Sequence, residues 1–134
     1  MNEYKIHVDS DVYDDKGNYI TRINIMWFIE EIEEAKLYDE YVDAIVEKPK
    51  DEKSPIKYNA KKFAKILKDL LKFREKIKLS IEETKKLFKD DIKMLKEIEE
   101  EEDQAMKYKK IIEEIDKRNV KYIVMKPVHR KHIL

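Results

Sequence analysis

The chain reads as α+β, with an N-terminal β-hairpin and a C-terminal strand packed with three helices, two of which make a long antiparallel hairpin over about 59–118. Three features carry this reading. Residues near the start alternate apolar and polar and then meet the only glycine, Gly17. Residues 24–47 and 59–118 repeat their apolar positions every three or four, and 120–125 (V-K-Y-I-V-M) is β-branched and aromatic. With 134 residues, one Gly and three Pro, the expectation is a single domain over 1–134 with little irregular loop.

In order along the chain, Tyr4, Ile6 and Val8 alternate with polar residues, and Val12-Tyr13 and Tyr19-Ile20 flank D-D-K-G-N. A glycine there supplies the positive φ of a tight loop, so a hairpin is expected over 3–23. From 24 to 47 the pattern is helical, with Ile25, Phe28, Ile29, Ile32 and Ala35 on one face and Glu30, Glu33 and Glu34 opposite. Beyond Ala35 the stripe rotates through Tyr38, Tyr41, Val42 and Ile45, which predicts a kink or a new neighbour. Lys48 precedes Pro49 and should end the helix, and 48–58, with Pro55, reads as a loop.

Asn59 is a suitable N-cap for the cleanest amphipathic segment, 59–78. Phe63, Ile66, Leu67, Leu70, Phe73 and Ile77 share one face, and Lys57, Lys61, Lys65, Lys68, Lys72 and Lys76 form a stripe opposite. Ser80 and Glu83 have capping-box spacing, so a third helix is expected directly after Leu79, folding back as a helical hairpin. That helix should run to about Arg118, with coiled-coil-like rows Leu87, Met94, Tyr108, Ile115 and Ile98, Ala105, Ile112. The acidic run 99–103 interrupts both rows, so there the helix is expected to leave the core, bend or face a basic partner. A strand over 120–126 is expected to stop at Pro127, followed by a basic tail, 127–134, that holds His129, Arg130, Lys131 and His132.

Chemical motifs are scarce. One glycine cannot build a phosphate-cradling loop, no serine lies in a nucleophile elbow, and with no cysteine there are neither disulfides nor thiolate ligands. Asp9, Asp11, Asp14 and Asp15 cluster before Gly17, but their spacing does not match a calcium loop, and an acidic hairpin is the simpler reading. His129 and His132 lack a nearby carboxylate, and His7 alternates with Ile6 and Val8 as a surface strand residue would. No catalytic, cofactor or metal residues are assigned, no enzyme activity or small-molecule substrate is expected, and Trp27 and Phe28 are read as core. Tyr38 and Tyr41 are read as partly buried, with a recognition surface as the rarer alternative. There is no basic-then-apolar leader and no long apolar run, so a soluble, intracellular, cytoplasmic protein without membrane contact is expected. Abundant Lys and Glu beside a single Gln resemble the composition of thermophile proteins.

The zero net charge conceals opposed blocks. Residues 1–52 hold 15 acidic against 6 basic side chains, and 53–96 hold 15 basic against 6 acidic. Three expectations for the lysine stripe follow. It can lace the fold together by facing the acidic first helix, it can face an acidic protein or a second copy of the chain, or it can neutralise nucleic-acid phosphates with help from Arg130 and Lys131. The sequence favours a non-enzymatic interaction module, a small regulatory or assembly protein binding a protein partner or itself. Sequence-independent nucleic-acid binding is the alternative.

Overall fold

The computed structural model describes residues 9–51 and 53–128. It is α+β as expected, but with five strands and five helices among the described residues rather than three of each. The strands are β1 (Asp9–Asp14), β2 (Tyr19–Asn24), β3 (Ile45–Glu47), β4 (Ile56–Asn59) and β5 (Tyr122–Val128). The helices are α1 (Ile25–Glu34), α2 (Tyr38–Ala44), α3 (Ala60–Lys76), α4 (Lys78–Leu87) and α5 (Ile92–Arg118). The sheet order is β2-β1-β5-β4-β3, antiparallel throughout.

The hairpin β1–β2 forms around Gly17, which takes φ 83° in a loop closed by Asp14 N–H to Asn18 O at 2.9 Å. Its first part, with Tyr4, Ile6 and Val8, lies outside the described residues. Asp14 is buried and organises the turn, accepting hydrogen bonds from the Lys16 and Asn18 amides at 2.9 and 2.8 Å and from the Asn18 side chain at 3.0 Å. Burial pushes the Asp14 carboxyl up, yet these bonds and the Arg118 guanidinium, 3.6 Å away, together hold it below the ordinary range.

The expected helix 24–47 is divided. Asn24 caps α1 by accepting from the Trp27 amide at 3.2 Å, and the helix ends at Lys36, whose φ of 58° is left-handed. That turn rotates the following chain, so Phe28 and Ile32 on α1 and Tyr41 and Ala44 on α2 all reach the core. Residues 45–47 then become β3 and pair with β4, a strand that takes up the last three residues of the stretch 48–58 that reads as loop, and Asn59 after it. β5 runs through Pro127 to Val128 instead of stopping at 126. β4 reaches only to Met125, so beyond it β5 pairs with β1 alone and a residue without an N–H costs no bond to β4.

The helical hairpin exists, but its turn lies elsewhere. Ser80 is inside α4, not at its cap, because α3 passes into α4 at a single residue, Ile77. The reversal comes at 88–91, where Asp91 caps α5 by accepting from the Met94 amide at 3.1 Å. α5 is continuous through 99–103, and its buried residues begin at Gln104 and continue through Tyr108, Ile111 and Ile115. α3 and α5 are antiparallel neighbours, and Ala60 at the start of α3 donates to Lys121 O, just past the end of α5, at 3.0 Å. Phe28 is at the centre of the core, with ring centroids of Tyr41, Phe63 and Tyr108 at 5.8, 5.6 and 5.9 Å. Among the described residues no helix is long and apolar enough to cross a membrane.

Candidate functional site

Two features stand out above the core, a row of lysines on the outer face of α3 and a cleft where α1, α3, α4 and α5 meet. The row follows from the amphipathic pattern of α3. Asn59 caps the helix by accepting from the Lys62 amide at 3.0 Å, and Phe63, Ile66, Leu67 and Leu70 are buried against the sheet and α5. Burying that face turns Lys61, Lys65, Lys68, Lys72 and Lys76 to solvent, where all five are exposed. Fifteen residues separate the first from the last, roughly 22 Å of helix at ~1.5 Å per residue.

Lys57 does not belong to this row. It lies on β4, before the helix, with its ammonium 4.4 Å from the centroid of the Tyr122 ring. Arg130 and Lys131 lie outside the described residues. Within the expected first helix, 24–47, the one carboxylate that pairs with a lysine of α3 among the described residues is Asp43 on α2, 2.9 Å from Lys62, which is not a member of the stripe. None of the five lysines in the row has an ion-pair partner among the described residues.

The cleft, about 130 Å³, is lined by Trp27, Glu30, Glu31 and Glu34 of α1, Phe73 and Arg74 of α3, Ile77, Ile81 of α4 and Glu101 of α5. Glu31 is its chemical centre. Burial raises its carboxyl to about 7, reinforced by Glu101 and Glu34 and opposed by Arg74 and by the hydroxyl of Tyr108. Tyr108 donates to Glu31 Oε1 at 3.2 Å, whereas Glu31 Oε2 is buried without a hydrogen bond. Burial likewise pushes up Glu101, at the more open rim. A carboxyl poised near neutrality beside a guanidinium can take up and release a proton at ordinary pH.

A polar chain ties this cleft to the sheet. Gln104 accepts from the Asn24 amide at 2.7 Å and donates to the Asn24 carbonyl at 2.9 Å and to Tyr108 Oη at 3.0 Å. The side-chain amide thus replaces a strand neighbour at the end of β2 and fixes α5 to the start of α1. Trp27, expected in the core, lines the cleft instead, and only Phe28 of the pair is fully buried. Tyr41 is buried with its hydroxyl 2.8 Å from that of Tyr58, whereas Tyr38 is exposed. Among the described residues no three His, Asp or Glu side chains are grouped to hold a metal ion.

Sequence patterning overlooked Glu31, Arg74 and Gln104 as site residues. Each left a trace. Glu31 lies four residues after Trp27, Arg74 falls on the same side of α3 as Phe63 and Leu70, and Gln104 lies one turn before Tyr108.

No protein-family model matches this chain, and neither a characterised protein nor a solved structure is detectably similar to it.

Proposed function

We propose that the protein is a non-enzymatic interaction module whose α3 lysine row binds the phosphate backbone of nucleic acid without regard to base sequence. The carrying observation is that Lys61, Lys65, Lys68, Lys72 and Lys76 are exposed on one face with no carboxylate partner among the described residues. Burying a protein interface calls for apolar and aromatic anchors, and lysine is depleted from such interfaces. The outward face of α3 offers lysines flanked by Asp69 and Glu75 and no exposed large apolar side chain. Phosphate neutralisation needs no anchor, because release of condensed counterions drives it.

The scarcity of arginine supports a reading blind to sequence. Arg22 is held by Asp11 at 2.7 Å, Arg118 by Glu114 at 2.7 Å, and Arg74 lines the cleft. None is left on the row for bidentate contact with a guanine edge. A gel-shift series with single- and double-stranded DNA and RNA at low salt tests the proposal. Retardation that is indifferent to sequence, and is lost when Lys61, Lys65, Lys68 and Lys72 are replaced by Gln, is the expected result. No retardation at low salt would refute it.

A further inference from the structure

The lining of the cleft between α1, α3, α4 and α5 is unbalanced in charge and in hydrogen bonding. Glu30, Glu31, Glu34 and Glu101 stand against one cation, Arg74, which makes no salt bridge among the described residues. Glu31 Oε1 accepts from the Tyr108 hydroxyl at 3.2 Å, whereas Oε2 is buried and accepts nothing. An unpaired buried carboxylate oxygen is costly, so a donor supplied from outside is favoured there. The Glu31 side chain is half-buried, and the torsion that carries its oxygens is soft, so the carboxyl can turn Oε2 toward such a donor.

The remaining lining says what kind of molecule would bring it. Among the described residues no three His, Asp or Glu side chains are grouped to hold a metal ion, so the acidic charge is too dispersed for a bare divalent cation. Trp27, Phe73, Ile77 and Ile81 make the rest of the wall apolar, which suits a cation carried on carbon. The volume, about 130 Å³, is roughly four times the ~30 Å³ of a water molecule in the liquid. A short alkyl chain fits that space and a nucleotide does not. An aliphatic ammonium brings three donors, no acceptor and a charge retained below about pH 10. We propose that the cleft binds the alkylammonium end of an aliphatic amine, its charge among Glu31, Glu34 and Glu101 and its methylenes against Trp27, Phe73, Ile77 and Ile81.

Uptake of the amine should release a proton. Burial holds the Glu31 carboxyl at about 7, so at neutral pH and below an arriving ammonium displaces the Glu31 proton to solvent. The charged and titratable groups around it are Glu30 and Glu34 on its own helix, Arg74 on α3, and Glu101 and Tyr108 on α5; α4 contributes only Ile81 to the lining. Affinity should rise with pH through 7 and then level, about tenfold stronger at pH 8 than at pH 6. The site shares no residue with the lysine row, so it stands or falls independently of nucleic-acid binding.

Trp27 is the only tryptophan of the chain, so its emission reports on this cleft alone. Titration with n-butylamine and spermidine as free amines, and with Nα-acetyl-lysine-methylamide as the same group on a peptide, is run at constant ionic strength. A saturable change in emission below about 10 mM is expected, and the probe that saturates first distinguishes a free amine from a protein lysine. Glu31→Gln keeps an oxygen for Tyr108 and loses the charge, so it should weaken binding about 10- to 100-fold and remove most of the pH dependence. Arg74→Gln removes the competing cation and should tighten binding, a change opposite to that of general damage to the fold. No saturable change with any of the three probes would overturn the inference. So would saturation unaltered by Glu31→Gln, weaker binding in Arg74→Gln with its circular dichroism intact, or the same response to magnesium chloride.

Discussion

Replacing Glu31 with Gln should stabilise the protein at alkaline pH and leave it nearly unchanged at acid pH. In the folded chain burial lifts this carboxyl from an ordinary 4.5 to about 7, so between those values the native state retains a proton that the unfolded chain has released. The contribution to stability is therefore full below about 4.5, falls as pH rises towards 7, and is absent above it. One pKa unit corresponds to about 1.4 kcal/mol, so ionising Glu31 in the fold costs about 3 kcal/mol. Gln keeps an oxygen for the Tyr108 hydroxyl and carries no charge, so it mimics the protonated acid at every pH. Arg74, Glu101, Glu30 and Glu34, which also line the cleft, remain to balance one another in the variant. Urea unfolding of both proteins at pH 4.5 and pH 8.5 isolates the effect, because every other carboxylate is common to the pair. The expected difference is near zero in acid and about 3 kcal/mol in favour of the variant in base, on the order of 10 °C in melting temperature. Equal differences at the two pH values would show that Glu31 ionises freely in the fold and would refute the reasoning.

Other substitutions probe the frame around the cleft. Lys36 occupies a left-handed conformation that L side chains adopt at a cost, so Lys36→Gly should raise stability by about 1 kcal/mol in urea unfolding, and a loss would contradict the helix break. Gln104→Ala removes both bonds to the Asn24 backbone and the bond to Tyr108, and a destabilisation of about 3 kcal/mol is expected in the same assay. A cost within the scatter of surface mutations would mean that this clamp is not holding α5 to the sheet.

How much of this is legible without coordinates depends on how local the determining interaction is. The course of α3 is written in Asn59 and in apolar residues spaced by three and four, and both the cap and the buried face form as that pattern requires. Gly17 likewise marks its hairpin because positive φ is a property of one residue. Ser80 and Glu83 have the right spacing for a capping box and form none, since a cap works only where a helix begins and α3 hands the chain to α4 two residues earlier. The break at Lys36 has no local marker, because lysine does not favour the conformation and the rotation of the apolar stripe after Ala35 is compatible with a smooth kink. β4 is too short, at Ile56–Asn59, to show alternation, and it forms by pairing with residues 122–125. The lysine row could be read from spacing, while its lack of carboxylate partners could not. Glu31 shows the same limit, since it is one of several glutamates on α1 and only the neighbours from α3 and α5 give it an unusual carboxyl.

The dependence of nucleic-acid affinity on salt tests the role of the lysine row most directly. If Lys61, Lys65, Lys68 and Lys72 each neutralise a phosphate of duplex DNA, replacing all four by Gln should reduce the slope of log K against log salt by about 3 to 4. Affinity should fall by a similar factor for unrelated sequences. A slope unchanged by the four substitutions, in a protein that still binds, would place the contact on another surface and contradict the assignment.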